Sequence, residues 1–247
     1  MESLLRSRLT PLVALVRERR SVTAQAGDAS PFPISNTDEG RRRKCGRARP
    51  AEMTRDSHYD KQEIRRAARR SRRFLTQDER AFASEKICAS VSTAGYFQRA
   101  GLIACYLPTA EEVDTWPLIE RAWRMRKRVF APITGKDQPL AFAEICPSTE
   151  LIRSDFGLLE PPPEGMIAPR NLDLCITPLV AFDSFCNRIG MGGGYYDRTF
   201  GFLRGREHFF HPKLIGVAFD CQRVEKIHAS AWDIRLFQVV TETGPIR

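Results

Sequence analysis

From about residue 60 onward, polar and apolar positions fall into blocks whose period separates helix from strand. Ala83, Ile87 and Val91 recur four residues apart, which gives one helix a buried stripe. Thr76 with Glu79 three residues later reads as the capping box that opens it. Asp60 with Glu63 repeats that signal and predicts an earlier helix running through about Phe74. After Gly101 the apolar run 102–107 (LIACYL) reads as a buried strand. A helix is expected over 115–128, with Thr115 as its cap, Pro117 in the first turn and Leu118, Ile119 and Ala122 inward. Further strands are expected at 129–133, 140–145, 173–182, 214–219 and 236–241. Continuous apolar strands alternating with helices imply an α/β sheet covered on both faces.

Residues 1–57 lack either period. They carry the turn-rich stretch 27–36 (GDASPFPISN) and the run Arg41-Arg42-Arg43-Lys44, so the segment is expected to be disordered and the folded domain to span 58–247. Two readings of its start stay open. The first twenty residues resemble an Arg-rich amphipathic targeting helix, although Glu2, Glu18, Asp28, Asp38 and Glu39 weigh against it. Alternatively, Met53 is the functional start.

The chain has 247 residues, of which 42% are hydrophobic and 28% charged, enough for a sizeable core. The early apolar run 11–16 (PLVALV) is too short to cross a bilayer, so no membrane is expected. The net charge of +9 is local. Residues 41–73 carry a net +10, whereas residues 74–247 carry −1. Nucleic-acid binding is therefore not expected, except weakly through 41–73. The seven cysteines stand singly with no C-x-x-C pair, as expected of thiols in a reducing, cytoplasmic setting. No zinc-ligand spacing is present.

The stretch 181–198 (AFDSFCNRIGMGGGYYDR) carries the chemistry. An apolar strand ends, Gly190, Gly192, Gly193 and Gly194 form a loop, and a helix opens at Tyr195. Glycines let backbone N–H groups converge on an anion, and the helix dipole adds to that field. Arg188 supplies a full positive charge, and Asp197 is placed to hold Mg²⁺ beside phosphates. The loop lacks both the Gly-Lys-Ser/Thr of a P-loop and the third glycine of the dinucleotide fingerprint. Taken alone, Lys61 and Arg65 also read as a solvated basic face. Residues 111–114 read equally as an ordinary acidic loop, and Asp233 as a turn residue.

Taken together, Lys61-x-x-x-Arg65, Tyr106-Leu107-Pro108, Glu112-Val113-Asp114-Thr115, Phe156-Gly157, Glu160-Pro161, the 188–198 loop, Gln222 and Trp232-Asp233 resemble the 5-formyltetrahydrofolate cyclo-ligase family, in order from Lys61 to Glu242. The resemblance implies a three-layer α/β/α fold of the sugar-phosphate isomerase and coenzyme A transferase type. It also implies ATP- and Mg²⁺-dependent closure of 5-formyltetrahydrofolate to 5,10-methenyltetrahydrofolate; separately, a monomer is expected. By position, Lys61, Arg65, Arg188, Ile189, Gly190, Met191, Gly192, Gly193, Gly194, Tyr195 and Tyr196 would bind ATP. Leu107 and Glu112 would contact folate, and Asp197 and Asp233 would hold the metal. No residue is assigned a covalent catalytic role. Cys186 departs from the family pattern, which has glycine there, and Gly193 stands where part of the family has lysine. Two rivals are a sugar-phosphate isomerase using the same glycine loop and an RNA-binding protein using 41–73.

Overall fold

Helices α1 (Met53–Arg73), α2 (Gln77–Thr93) and α3 (Gly95–Arg99) precede strand β1 (Leu102–Cys105). Helix α4 (Trp116–Arg124) and strands β2 (Arg128–Ile133) and β3 (Ala141–Ile145) follow. Short strands β4 (Ile152–Arg153), β5 (Leu159–Glu160) and β6 (Met166–Ile167) lead to β7 (Leu174–Thr177), β8 (Ala181–Phe182) and β9 (Arg188–Ile189). Helix α5 (Tyr195–Thr199) and strands β10 (Lys213–Val217), β11 (Gln238–Thr241) and β12 (Gly244–Ile246) complete the order. The computed structural model describes residues 53–136, 138–204 and 211–247. The expected disordered stretch therefore lies largely outside the described residues, and α1 takes in its last five, 53–57.

The central sheet has eight strands in the order β12-β11-β10-β7-β1-β2-β3-β6. Strands β11, β10, β7, β1 and β2 run parallel, and the edge strands β12, β3 and β6 pair antiparallel. Alternation along β1 feeds two cores. Ile103 and Cys105 pack with Ile87 and Val91 of α2 and Leu118 and Ile119 of α4. Ala104 instead joins Phe130, Phe142 and Phe200 on the other face. Both faces are thus covered, as near-continuous apolar strands require.

Local chemistry agrees with some expected boundaries and shifts others. Thr76 and Glu79 form the reciprocal capping box at α2: the Thr76 hydroxyl accepts from Glu79 N at 3.2 Å, and Thr76 N donates to Glu79 Oε2 at 2.8 Å. Asp60 does not stand at a helix start, because α1 is already running at Met53. Thr115 holds the N-cap position of α4, as expected, but its side chain makes no capping bond. Its hydroxyl donates to Tyr106 O at 2.8 Å, and Asp114 Oδ1 accepts from Trp116 N at 3.1 Å.

The expected single strand over 173–182 breaks at Pro178 into β7 and β8. Proline has no N–H for the ladder and ends pairing there. The peeled segment is caught elsewhere. Gln222, 2% exposed, donates from Nε2 to Leu179 O at 3.0 Å and Val180 O at 2.9 Å. Val180 N donates to Ile189 O at 2.8 Å. That detour opens the sheet edge at which the candidate site forms.

Candidate active site

Adjacent parallel strands β7, β1 and β2 end on the same edge of the sheet. Beyond those ends lies a cavity of about 290 Å³. Pro178–Val180 line it after β7, Leu107, Thr109 and Glu112 after β1, and Pro132 and Thr134 at the end of β2. Hairpin residues Phe156, Leu158 and Glu160 close one side, and the glycine loop with Tyr195, Tyr196 and Asp197 closes another. This is where open α/β sheets hold ligands.

The loop conformation depends on its glycines in different ways. Gly192 has φ 115° and Gly194 φ 62°, a region that side chains with a Cβ rarely adopt. Gly194 caps α5 in that conformation. A Cβ at Gly193 would stand 2.7 Å from the Tyr195 ring, whereas one at Gly190 would meet nothing within 4 Å. Helix α1 lies alongside the loop: Arg65 Nε donates to Gly190 O at 2.8 Å and an Arg69 guanidinium N–H to Met191 Sδ at 3.1 Å. Burial, with Arg69 adding to it, lowers the Arg65 pKa from its ordinary value.

Two cation–carboxylate pairs flank the loop. Arg188, buried, donates to Asp197 Oδ1 at 2.8 Å and also to Ile234 O. Asp197 Oδ1 accepts as well from Ile234 N at 2.9 Å, so Asp197 is bonded to the residue next to Asp233. Lys61 Nζ sits 2.7 Å from Asp233 Oδ2 and 3.1 Å from Ser230 Oγ. Asp233 Oδ2 also accepts from Ser230 N at 2.8 Å. Thr109 holds Glu112 through both its N–H and its hydroxyl, each 2.9 Å from Glu112 Oε2. Burial pushes the hydroxyls of Tyr106 and Tyr196 well above the ordinary phenol pKa, keeping both protonated.

The sequence model of the 5-formyltetrahydrofolate cyclo-ligase family matches residues 57–242. The 5-formyltetrahydrofolate cyclo-ligase of Escherichia coli K12 is 37% identical over 177 residues, covering 70% of this chain and 95% of that protein. The Haemophilus influenzae cyclo-ligase is 33% identical, covering 73% of this chain and 96% of that protein. The 5,10-methenyltetrahydrofolate synthetase of Aquifex aeolicus superposes with a TM-score of 0.65 at 30% identity, over 76% of this chain and 92% of that one. The chain belongs to the 5-formyltetrahydrofolate cyclo-ligase family. Its activity is that of a 5-formyltetrahydrofolate cyclo-ligase.

With the family established, the expected site residues divide into three groups. Leu107, Glu112, Arg188, Gly190, Met191, Gly193, Gly194, Tyr195, Tyr196 and Asp197 all line the cavity. Lys61, Arg65, Gly192 and Asp233 do not line it: Arg65 bonds the loop at Gly190 O, Lys61 and Asp233 bond each other, and a Cβ at Gly192 would lie 3.9 Å from the Arg65 guanidinium. Ile189 differs, since its side chain packs into a core cluster with Ala68, Val180 and Ile227. Only its backbone could meet a ligand.

The acidic run 111–114 proves to serve several partners. Glu111 pairs with Arg72 and Arg73, Glu112 lines the cavity, and Asp114 accepts from Trp116 N at the start of α4. Five of the basic residues of α1 (Lys61, Arg65, Arg69, Arg72 and Arg73) likewise bond to groups outside α1 rather than facing solvent alone. Sequence reasoning missed Thr109, Thr134 and Glu160. Of these only Glu160 carried a signal, as part of the Glu160-Pro161 pair. Cys186 has φ 61°, a left-handed conformation that glycine adopts more readily than a residue with a Cβ.

Proposed function

We propose that the glycine loop, backed by Lys61, Arg65 and Arg188, holds the ATP phosphates, and that the β1 and β2 side of the cavity holds folate. The single observation that supports this best is one cavity lined by both the loop and Glu112. The formyl oxygen is a poor leaving group, so it first attacks the terminal phosphorus of ATP and releases ADP. The neighbouring folate nitrogen then attacks the activated formyl carbon, loses its proton, and phosphate departs with the oxygen. Such a reaction needs stabilisation of charge on the transferring phosphoryl group rather than a protein nucleophile.

The pairs Lys61–Asp233 and Arg188–Asp197 fit that demand. Each cation is held ready by a carboxylate, so phosphate oxygens can replace the carboxylates without a search for geometry. Arg188 and Lys61 then bear on the transferring charge, and the loop N–H groups add fixed dipoles.

Mg²⁺ is part of this reading. Among the described residues no cluster of three acidic or soft ligands exists. However, Mg²⁺ commonly takes only one or two carboxylates and completes its shell with phosphate oxygens and water. Asp197 Oδ2 and Asp233 Oδ1 take no hydrogen bond from a described residue, so one oxygen of each is available. Bound there, the ion would neutralise charge on the phosphate oxygens.

Helices α2 and α4 on one sheet face and the α5 segment on the other support assignment to the three-layer sugar-phosphate isomerase and coenzyme A transferase type. No helix among the described residues is long and apolar enough to cross a membrane. The six described cysteines are free thiols, in keeping with a cytoplasmic setting.

The test is calorimetry of each ligand separately. Glu112→Gln should weaken 5-formyltetrahydrofolate by about ten- to a hundred-fold, the loss of a hydrogen bond to a charged group, and leave ATP within about two-fold. Equal weakening of both ligands would assign Glu112 to the metal or to the fold instead.

A further inference from the structure

Two threonines hold two glutamates beside the cavity by the same device. Thr109 donates its N–H and its hydroxyl to Glu112 Oε2. Thr134 donates its N–H, at 3.2 Å, and its hydroxyl to Glu160 Oε1. In each case the second carboxylate oxygen takes no hydrogen bond from a described residue, and all four residues line the cavity. Glu160 is only 6% exposed. Neither second oxygen is sealed from water without a partner, so each stands open on the cavity as an acceptor for an N–H that a ligand brings.

Sheet geometry says which part of the ligand that is. The glycine loop lies on the β7 side, Glu112 follows β1, and Glu160 is anchored at the end of β2. Neighbouring strands stand about 4.8 Å apart, which puts the β2 end about 10 Å from the β7 end. The formyl oxygen must meet the terminal phosphate on the loop side. Glu160 therefore faces the part of the substrate most distant from the reacting atoms. A carboxylate accepts only, and the non-reacting pyrimidine edge of the pteridine offers adjacent donors, the 2-amino group and N3–H. Pro132, Phe156 and Leu158 supply apolar surface beside it for the ring. The anionic glutamate tail of folate would be repelled from this end.

We propose that Glu160 is a second substrate-reading residue, accepting from the 2-amino and N3–H edge of the pteridine. The inference rests on the folate half of the proposed function. Glu160→Gln keeps shape and the Thr134 contacts but turns a donor toward a donor. In the full chain it should raise the dissociation constant for 5-formyltetrahydrofolate by about ten- to a hundred-fold, with ATP affinity unchanged. The decisive readout is the ratio of affinities for 5-formyltetrahydrofolate and its analogue carrying a 2-oxo in place of the 2-amino group. The native chain should favour the amino form strongly, and Glu160→Gln should abolish or reverse that preference.

A merely structural Glu160 would weaken both analogues alike and leave the ratio fixed, which overturns the proposal. Should Glu160→Gln not fold, Thr134→Val removes one anchor while keeping the carboxylate. It should lower the amino-over-oxo ratio, and an unchanged ratio again overturns the proposal. If Glu112→Gln weakens folate while Glu160→Gln does not, this inference falls and the folate cavity stands. If the native chain does not bind 5-formyltetrahydrofolate, the underlying reading falls first.

Discussion

Of the loop glycines, Gly190 alone separates the approach of a phosphate from the demands of the fold. Gly192 and Gly194 have φ of 115° and 62°, so any side chain there strains the backbone whether or not ATP binds. A Cβ at Gly193 would meet the Tyr195 ring at 2.7 and 2.8 Å. Overpacking of that kind costs about 1–3 kcal/mol and displaces a residue that lines the cavity. At Gly190 a Cβ meets nothing within 4 Å, and the backbone is not in the left-handed region. Gly190→Ala should therefore leave the melting temperature unchanged or slightly raised, since alanine restricts the unfolded chain by about 0.4–1 kcal/mol.

Its effect on ATP should have the opposite sign. If a phosphate rests against this backbone, the methyl group forces it away from charge-assisted N–H contacts worth about 1.5–3 kcal/mol. That corresponds to a loss of about ten- to a hundred-fold in ATP affinity. Calorimetric titration with ATP, alongside thermal melting of the same variant, measures both quantities. A Gly190→Ala variant that melts normally and binds ATP as tightly as the native chain would refute the phosphate cradle. Gly193→Ala, in contrast, should lose ATP affinity and stability together.

Three further outcomes are expected. Asp233→Asn should raise the Mg²⁺ concentration needed for half-maximal turnover while the protein stays folded; an unchanged titration returns Asp233 to a purely structural pairing with Lys61. Hydrogen bonds from Ser148 and Thr149 lower the Cys146 pKa below the ordinary thiol value, whereas burial pushes Cys88 and Cys175 up to about 12. Because the thiolate is the nucleophile, mass-spectrometric mapping near pH 8 should find exposed Cys146 alkylated well before those two, and equal labelling would contradict the assigned environments. A chain begun at Met53 should keep its turnover, since the family match starts at residue 57; loss of activity in a folded truncated protein would give the first 52 residues a catalytic role.

The strands of the parallel core were legible because apolar runs such as 102–105 and 174–177 are continuous and sit between helical periods. The pattern misled for separate reasons: Pro178 ends a strand that reads as continuous, α1 begins before Asp60, and one side chain found another partner. Thr115 was open to two uses, and its hydroxyl bonds Tyr106 O across nine residues rather than capping its own helix. The glycine loop was legible because its chemistry is contiguous. The Thr134–Glu160 pair was not, because a hydroxyl and a carboxylate 26 residues apart meet only when the β4–β5 hairpin folds beside β2. Cys186 was legible as an oddity through family likeness, and its φ of 61° is one that glycine adopts more readily.

In the proposed reaction one cavity joins ATP cleavage to ring closure. The most direct measurement follows methenyl-folate absorbance and ADP release in the same reaction, with purified protein, Mg²⁺, ATP and 5-formyltetrahydrofolate. One ADP should form for each ring closed, absorbance should not change without ATP, and both signals should be lost together in Arg188→Met. Ring closure that proceeds without ATP, or ADP release that ignores the folate and survives Arg188→Met, would contradict the proposed reaction.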